Sequence, residues 1–118
     1  MSIPPTPTPA LPAAPSKLSE TNICEAMNTN MWSASGTLSW QDNSNNEDGF
    51  NIYWIEKNIQ NSKDWLIGTV GPNTTSFNFS QGHFYIDAAY LKVESFNSAG
   101  ASSKISLLVN IVNCPPNP

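Results

Sequence analysis

Apolar or small side chains recur at every second position in Trp32, Ala34, Gly36, Leu38 and Trp40, while Ser33, Ser35, Thr37 and Ser39 fill the alternate places. A period of two is that of a strand with one face buried. The same alternation runs through Phe50, Ile52 and Trp54, and through Ala89, Leu91, Val93 and Ser95 set against Tyr90, Lys92, Glu94 and Phe96. It returns in Ile105, Leu107, Val109 and Ile111. Shorter apolar runs predict strands over residues 65–70 and around Phe77 and Phe79, and a first strand within about residues 17–25. Turn formers separate these segments: residues 28–30, the dense polar run 42–49, the polar stretch 57–64, Gly71-Pro72-Asn73 and residues 97–100. Residues 80–88 carry no clear period. No helical apolar period of useful length is present, so the class is all-β. Trp40 and Trp54 are in phase with the inward residues and are expected in the core, whereas Tyr53 is out of phase and is expected to face outward.

The ends read differently from the middle. Pro4, Pro5, Pro7, Pro9, Pro12 and Pro15 alternate with Thr and Ala, which removes backbone donors and favours an extended polyproline II arm. The expected organisation is a proline-rich arm or linker over residues 1–15, one domain over 16–113, and a proline-rich tail over 114–118 in which Pro115 and Pro116 end strand pairing. Because residues 1–13 offer no periodic apolar face, the domain is expected to fold without them.

Only 12% of the 118 residues are charged against 39% hydrophobic, so solubility rests on neutral polar groups, chiefly Asn, Ser and Thr. The formal charge of -4 comes from nine carboxylates against five lysines, with no arginine to supply a bidentate phosphate fork. Nucleic acid is therefore not an expected partner. No apolar run reaches the ~20 residues of a membrane-spanning helix. Residues 1–15 lack the basic start and continuous apolar stretch of a signal peptide.

Seven short strands at near-regular spacing are the pattern of an immunoglobulin-like sandwich. The stretch Leu38-Ser39-Trp40-Gln41-Asp42-Asn43-Ser44-Asn45-Asn46-Glu47-Asp48-Gly49-Phe50-Asn51-Ile52-Tyr53 closely resembles the second strand, following loop and third strand of bacterial fibronectin type III modules. Val93-Glu94-Ser95-Phe96-Asn97-Ser98-Ala99-Gly100-Ala101-Ser102 resembles their sixth strand and the turn after it, and Ala14-Pro15-Ser16-Lys17-Leu18 their approach to the first. The resemblance covers roughly residues 14–112 and implies a seven-stranded, two-sheet, antiparallel Greek-key sandwich, fibronectin type III-like, with an extended arm. It departs from the family at the tyrosine near the start of the sixth strand. That position is Ala89 here, with Tyr90 one residue out of register and Tyr85 further upstream. A bulge in the sixth strand or a rebuilt segment over residues 82–87 would account for it. In the implied strand order the first and last strands end at the same pole, so an intrachain disulfide between Cys24 and Cys114 is expected, with two free thiols the alternative in a reducing compartment.

Candidate chemistry is sparse. His83 is the only histidine and has no triad to join, so it reads as a surface loop residue. Asp42, Glu47 and Asp48 crowd one loop, but a calcium-loop count begun at Ser44 puts Ile55 where the bidentate glutamate belongs, and the loop reads instead as a turn braced by its own side chains. Tyr53, Trp65 and Trp32 are candidates for an aromatic sugar platform, with core filling the alternative. Asn73-Thr74-Thr75 and Asn78-Phe79-Ser80 match the glycosylation pattern, which arises by chance in an Asn-rich chain. No catalytic, cofactor-binding or metal residues are expected.

These features favour a non-enzymatic structural or interaction module. The first expectation is a bacteriophage virion decoration or assembly protein, gripping a protein lattice or neighbouring subunits through the arm. The second is a spacer or carbohydrate-contacting module of a secreted bacterial enzyme or adhesin, with a cell-surface glycan as possible ligand and Pro5-Thr6-Pro7-Thr8-Pro9 as linker. Either places it on a virion surface or outside the cell.

Overall fold

The computed structural model describes residues 10–28, 31–56, 63–84 and 89–109. Among them the structure is all-β: β1 (Ser16–Asn28), β2 (Met31–Gln41), β3 (Gly49–Glu56), β4 (Trp65–Val70), β5 (Ser76–Phe84), β6 (Ala89–Asn97), β7 (Gly100–Ala101) and β8 (Ile105–Leu108). They form two antiparallel sheets, one of three strands in the order β1-β2-β5 and one of five in the order β4-β3-β6, with both β7 and β8 on the far side of β6.

The alternation in sequence becomes the packing between the sheets. Ala34, Leu38 and Trp40 of β2 and Phe79 of β5 face Phe50, Ile52 and Trp54 of β3 and Ala89, Leu91 and Val93 of β6, all buried. Each fully buried large apolar side chain contributes roughly 1.5–3 kcal/mol. Two ring pairs span the gap: Trp40 with Phe50 at 5.4 Å between centroids, and Trp54 with Phe79 at 6.3 Å. Gly36 in mid-β2 has a packing reason, since a Cβ there would lie 1.7 Å from the carbonyl oxygen of Thr21 on β1.

Several boundaries differ from expectation. The first strand runs on to Asn28, and the strand around Phe77 and Phe79 continues to Phe84, through part of the segment whose period was unreadable. The last expected strand appears as β8, which Val109 extends by donating its N–H to the Ala89 carbonyl, and a two-residue strand, β7, that was not expected precedes it. Ser102 lies between the two. Its N–H donates to the Ser95 carbonyl at 2.8 Å, but the reciprocal partner of the Ser95 N–H is the Ser102 hydroxyl at 3.0 Å, so a side chain substitutes for one rung of the ladder. Ile111 and the turn residues 29–30 lie outside the described residues. The β3–β6 register is unbroken from Glu56↔Ala89 to Gly49↔Phe96. No bulge therefore turns Tyr90 inward, and Tyr85 lies outside the described residues.

Candidate functional site

Three connections meet at one pole: residues 42–48 between β2 and β3, residues 71–75 between β4 and β5, and the β6–β7 turn. Into this pole runs the end of the proline-rich arm. Pro12 and Pro15 are buried there. The segment contributes carbonyls, and the domain contributes side-chain donors. Asn46 and Asn97 donate to the Ala10 carbonyl at 3.0 and 2.9 Å, the Ser95 hydroxyl to that of Ala13 at 2.7 Å, and Asn43 to that of Ala14 at 3.0 Å. Asn43 also donates to the Ser16 hydroxyl at 2.9 Å, and Asn97 to the Asn46 carbonyl at 3.1 Å. Such bonds suit a chain whose prolines have no N–H to offer a sheet. Residues 10–15 are thus seated on the domain. Part of this contact is internal to the domain, because the completely buried Ser95 hydroxyl is satisfied by the Ala13 carbonyl.

Glu47 braces the same pole from within, only 6% exposed. It accepts from the Ser44 hydroxyl at 2.8 Å and from the Asn73 N–H at 3.0 Å, joining two loops through one carboxylate. Burial works to raise its pKa, but the bonds from Asp42, Ser44 and Asn73 outweigh it and hold the carboxyl at about 2. Asp42, which accepts from the Ser44 N–H at 3.0 Å, is pushed the other way, by burial and by the neighbouring Glu47. Asn73, which donates its N–H to Glu47, takes a left-handed φ of 62°, a conformation that asparagine tolerates in turns. Asp48 is exposed and takes part through its backbone, donating to the Phe96 carbonyl at 2.7 Å.

The outer face of the five-stranded sheet carries a second polar group. Glu94 lies in the outward row of β6, yet it is only 8% exposed. The Tyr53 hydroxyl donates to Glu94 Oε1 at 2.6 Å and Asn51 to the same oxygen at 3.1 Å, while Thr69 donates to Asn51 at 2.8 Å. Burial first, and then the adjacent Glu94, push the Tyr53 phenol up to about 12. Lys104 lies 4.2 Å from the centre of the Tyr53 ring and, with Lys92, pairs with Asp64 at 2.9 and 3.1 Å. The Lys104 bond, opposed by burial and aided by Lys92, lowers the Asp64 carboxyl.

The sugar-platform candidates do not assemble. Trp32 belongs to β2, in the other sheet, and Tyr53 is engaged through both hydroxyl and ring. Trp65 is largely exposed on β4, with Lys63 4.1 Å from its ring centre. His83 has its backbone in strand β5 rather than in a loop. Asn73 and Asn78 are exposed, the latter accepting from the Thr37 hydroxyl at 2.9 Å. Asp42, Glu47 and Asp48 are occupied as described, and among the described residues no group of three or more His, Cys, Asp or Glu side chains could hold a metal. Cys24 is buried in β1, and no cysteine among the described residues is free; Cys114 lies outside them. The seat for the arm was missed in the sequence. The one available signal was a cluster of asparagines, Asn43, Asn46 and Asn97, in segments that converge on the point where the arm joins.

In comparisons with known proteins, no family model and no curated protein matches this chain.

Proposed function

We propose that the chain is a non-enzymatic interaction module of the fibronectin type III kind, acting as a decoration or assembly protein on a bacteriophage virion. The strand orders β1-β2-β5 and β4-β3-β6-β8 are compatible with the Greek-key arrangement that the sequence resemblance implies. The observation that carries the functional reading is the seating of residues 10–15 by Asn43, Asn46, Ser95 and Asn97. An arm fixed at its root starts from a defined point, so a neighbour gripped by it is held at a set orientation rather than on a slack tether. The pole of the β2–β3 and β6–β7 connections then faces the lattice, and the opposite pole faces away. An intrachain Cys24–Cys114 disulfide belongs to this reading of a surface protein outside the reducing cytoplasm.

Immunogold labelling of purified particles with an antibody against the domain tests the location. Regular labelling of the particle surface is expected. Particles that stay unlabelled, with the antigen instead in a larger secreted polypeptide, would replace this reading with that of a spacer module in an enzyme or adhesin.

A further inference from the structure

Resting on the arm-mediated attachment just proposed, we infer that residues 10–15 form a polyproline II ridge whose outer edge, with Leu11 at its crest, is read by an uncharged groove lined with Trp or Tyr on the neighbouring lattice subunit. The segment has a period of three. Pro12 and Pro15 are buried, whereas Ala10, Leu11 and Ala13 are exposed and Ala14 is half-buried. A strand lying on a surface would alternate every second residue, while a helix with three residues per turn buries every third. The carbonyls keep the same spacing. Those of Ala10 and Ala13 accept from Asn46, Asn97 and Ser95, and only where the segment enters β1 does the Ala14 carbonyl also accept, from Asn43. Proline at positions 12 and 15 fixes φ near the value this helix needs.

The domain thus holds one edge of the ridge and leaves the others outward. Leu11 is 56% exposed although one of its methyl carbons lies close to Gly100, and Ala99, Gly100 and Ala101 of the neighbouring turn are exposed as well. This is a low apolar surface with one leucine standing out of it, on the pole that the attachment reading turns toward the lattice. No charged side chain occurs in residues 10–16 or 97–103, so a charged partner gains nothing here. The Leu11 carbonyl accepts no bond from the described residues. Prolines deprive this backbone of donors but not of acceptors, so a partner that bonds it supplies the hydrogen. Flat rings that pack on small apolar side chains and end in an N–H or O–H meet both demands, and these are the rings of Trp and Tyr. The ridge is already ordered by its seat, so binding does not have to fix it.

The test places a diazirine analogue of leucine at residue 11 of the full chain, adds the protein to particles that lack it, and irradiates. The expected product is a crosslink from residue 11 to a particle subunit, mapped by mass spectrometry to a peptide that contains Trp or Tyr. Crosslinks only within the chain, or to a peptide without either residue, overturn the proposal. Leu11→Ala gives a second readout. Its occupancy on the particles should fall by about tenfold with little change in Tm, because the side chain it shortens is mostly exposed in the free protein. Occupancy of the unaltered chain should change by less than about twofold between low and high salt, and a steep loss with salt contradicts an uncharged groove. Equal occupancy of Leu11→Ala and the unaltered chain overturns the ridge but leaves attachment through the arm standing. Failure of the unaltered chain to bind particles at all would overturn that attachment itself, and the ridge with it.

Discussion

The hydroxyl of Ser95, wholly buried in β6, donates to the carbonyl of Ala13 at 2.7 Å across 82 residues of chain. Through this bond the arm and the core share a stability. Removal of a buried bond of this kind costs about 1–2 kcal/mol, so Ser95→Ala is expected to lower Tm by several degrees in a domain of this size. Deletion of residues 1–9 should leave Tm within about a degree of the full chain, whereas deletion of residues 1–13 should lower it by at least as much as Ser95→Ala. Thermal melts of the three variants check the order.

Glu47→Ala should destabilise the domain by ~1–3 kcal/mol at neutral pH, because the Asn73 N–H and the Ser44 hydroxyl both lose their acceptor. The folded carboxyl sits at about 2 against an ordinary 4.5, so its stabilisation is present above pH 4.5 and fades as the pH falls toward 2. Asp42, raised from 3.8, acts oppositely: it favours the fold while protonated and less so once the pH passes its folded value. Urea unfolding at pH 7 and pH 2 should show the gap between Glu47→Ala and the unaltered chain narrowing in acid. A calcium chelator should leave Tm unchanged in both.

A phenol titrating at about 12 is expected by ultraviolet absorbance in the unaltered chain and absent in Tyr53→Phe. The raised value favours the fold while the phenol is protonated, so this contribution is present below pH 10 and lost as the pH rises through 12. At neutral pH, Tyr53→Phe should cost ~1–3 kcal/mol, since Glu94 then keeps the Asn51 bond but loses that of the tyrosine. Denaturant unfolding measures it.

Non-reducing peptide mapping of protein taken from particles should give one linked pair containing Cys24 and Cys114, and two alkylatable thiols would refute the pairing. In the chain-entropy model a loop of this length is worth on the order of 4–5 kcal/mol, an upper figure because native strain and residual unfolded structure reduce it. Reduction should therefore lower Tm more than any single substitution above.

The interior was legible because β2, β3 and β6 each bury one face, and a period of two writes that face into the sequence at Leu38, Phe50, Ile52, Leu91 and Val93. Glu94 fell on the outward side of the same pattern, yet Tyr53 and Asn51 from the adjacent strand cover it, and periodicity within one strand carries no sign of a neighbour's reach. Glu47 sat in a loop read as a turn braced by its own side chains, as its bond from Ser44 has it, but its burial was not legible because it depends on Asn73 in a distant loop. Residues 1–15 were read as an arm or linker with no stated contact to the domain, since proline-rich sequence has no apolar period. The arm's attachment runs through main-chain carbonyls, which every residue possesses and no sequence pattern marks. Ser102 is a similar case, replacing a backbone rung with a hydroxyl at a position indistinguishable from its serine neighbours.

The central claim is that an arm rooted on the domain holds the protein to a lattice. Its most direct test is a paired measurement on the full chain and a chain beginning at Ala10, recording Tm and occupancy on particles that lack the protein. The account predicts equal Tm and at least a tenfold loss of occupancy for the shorter chain. Equal occupancy at equal Tm would contradict it.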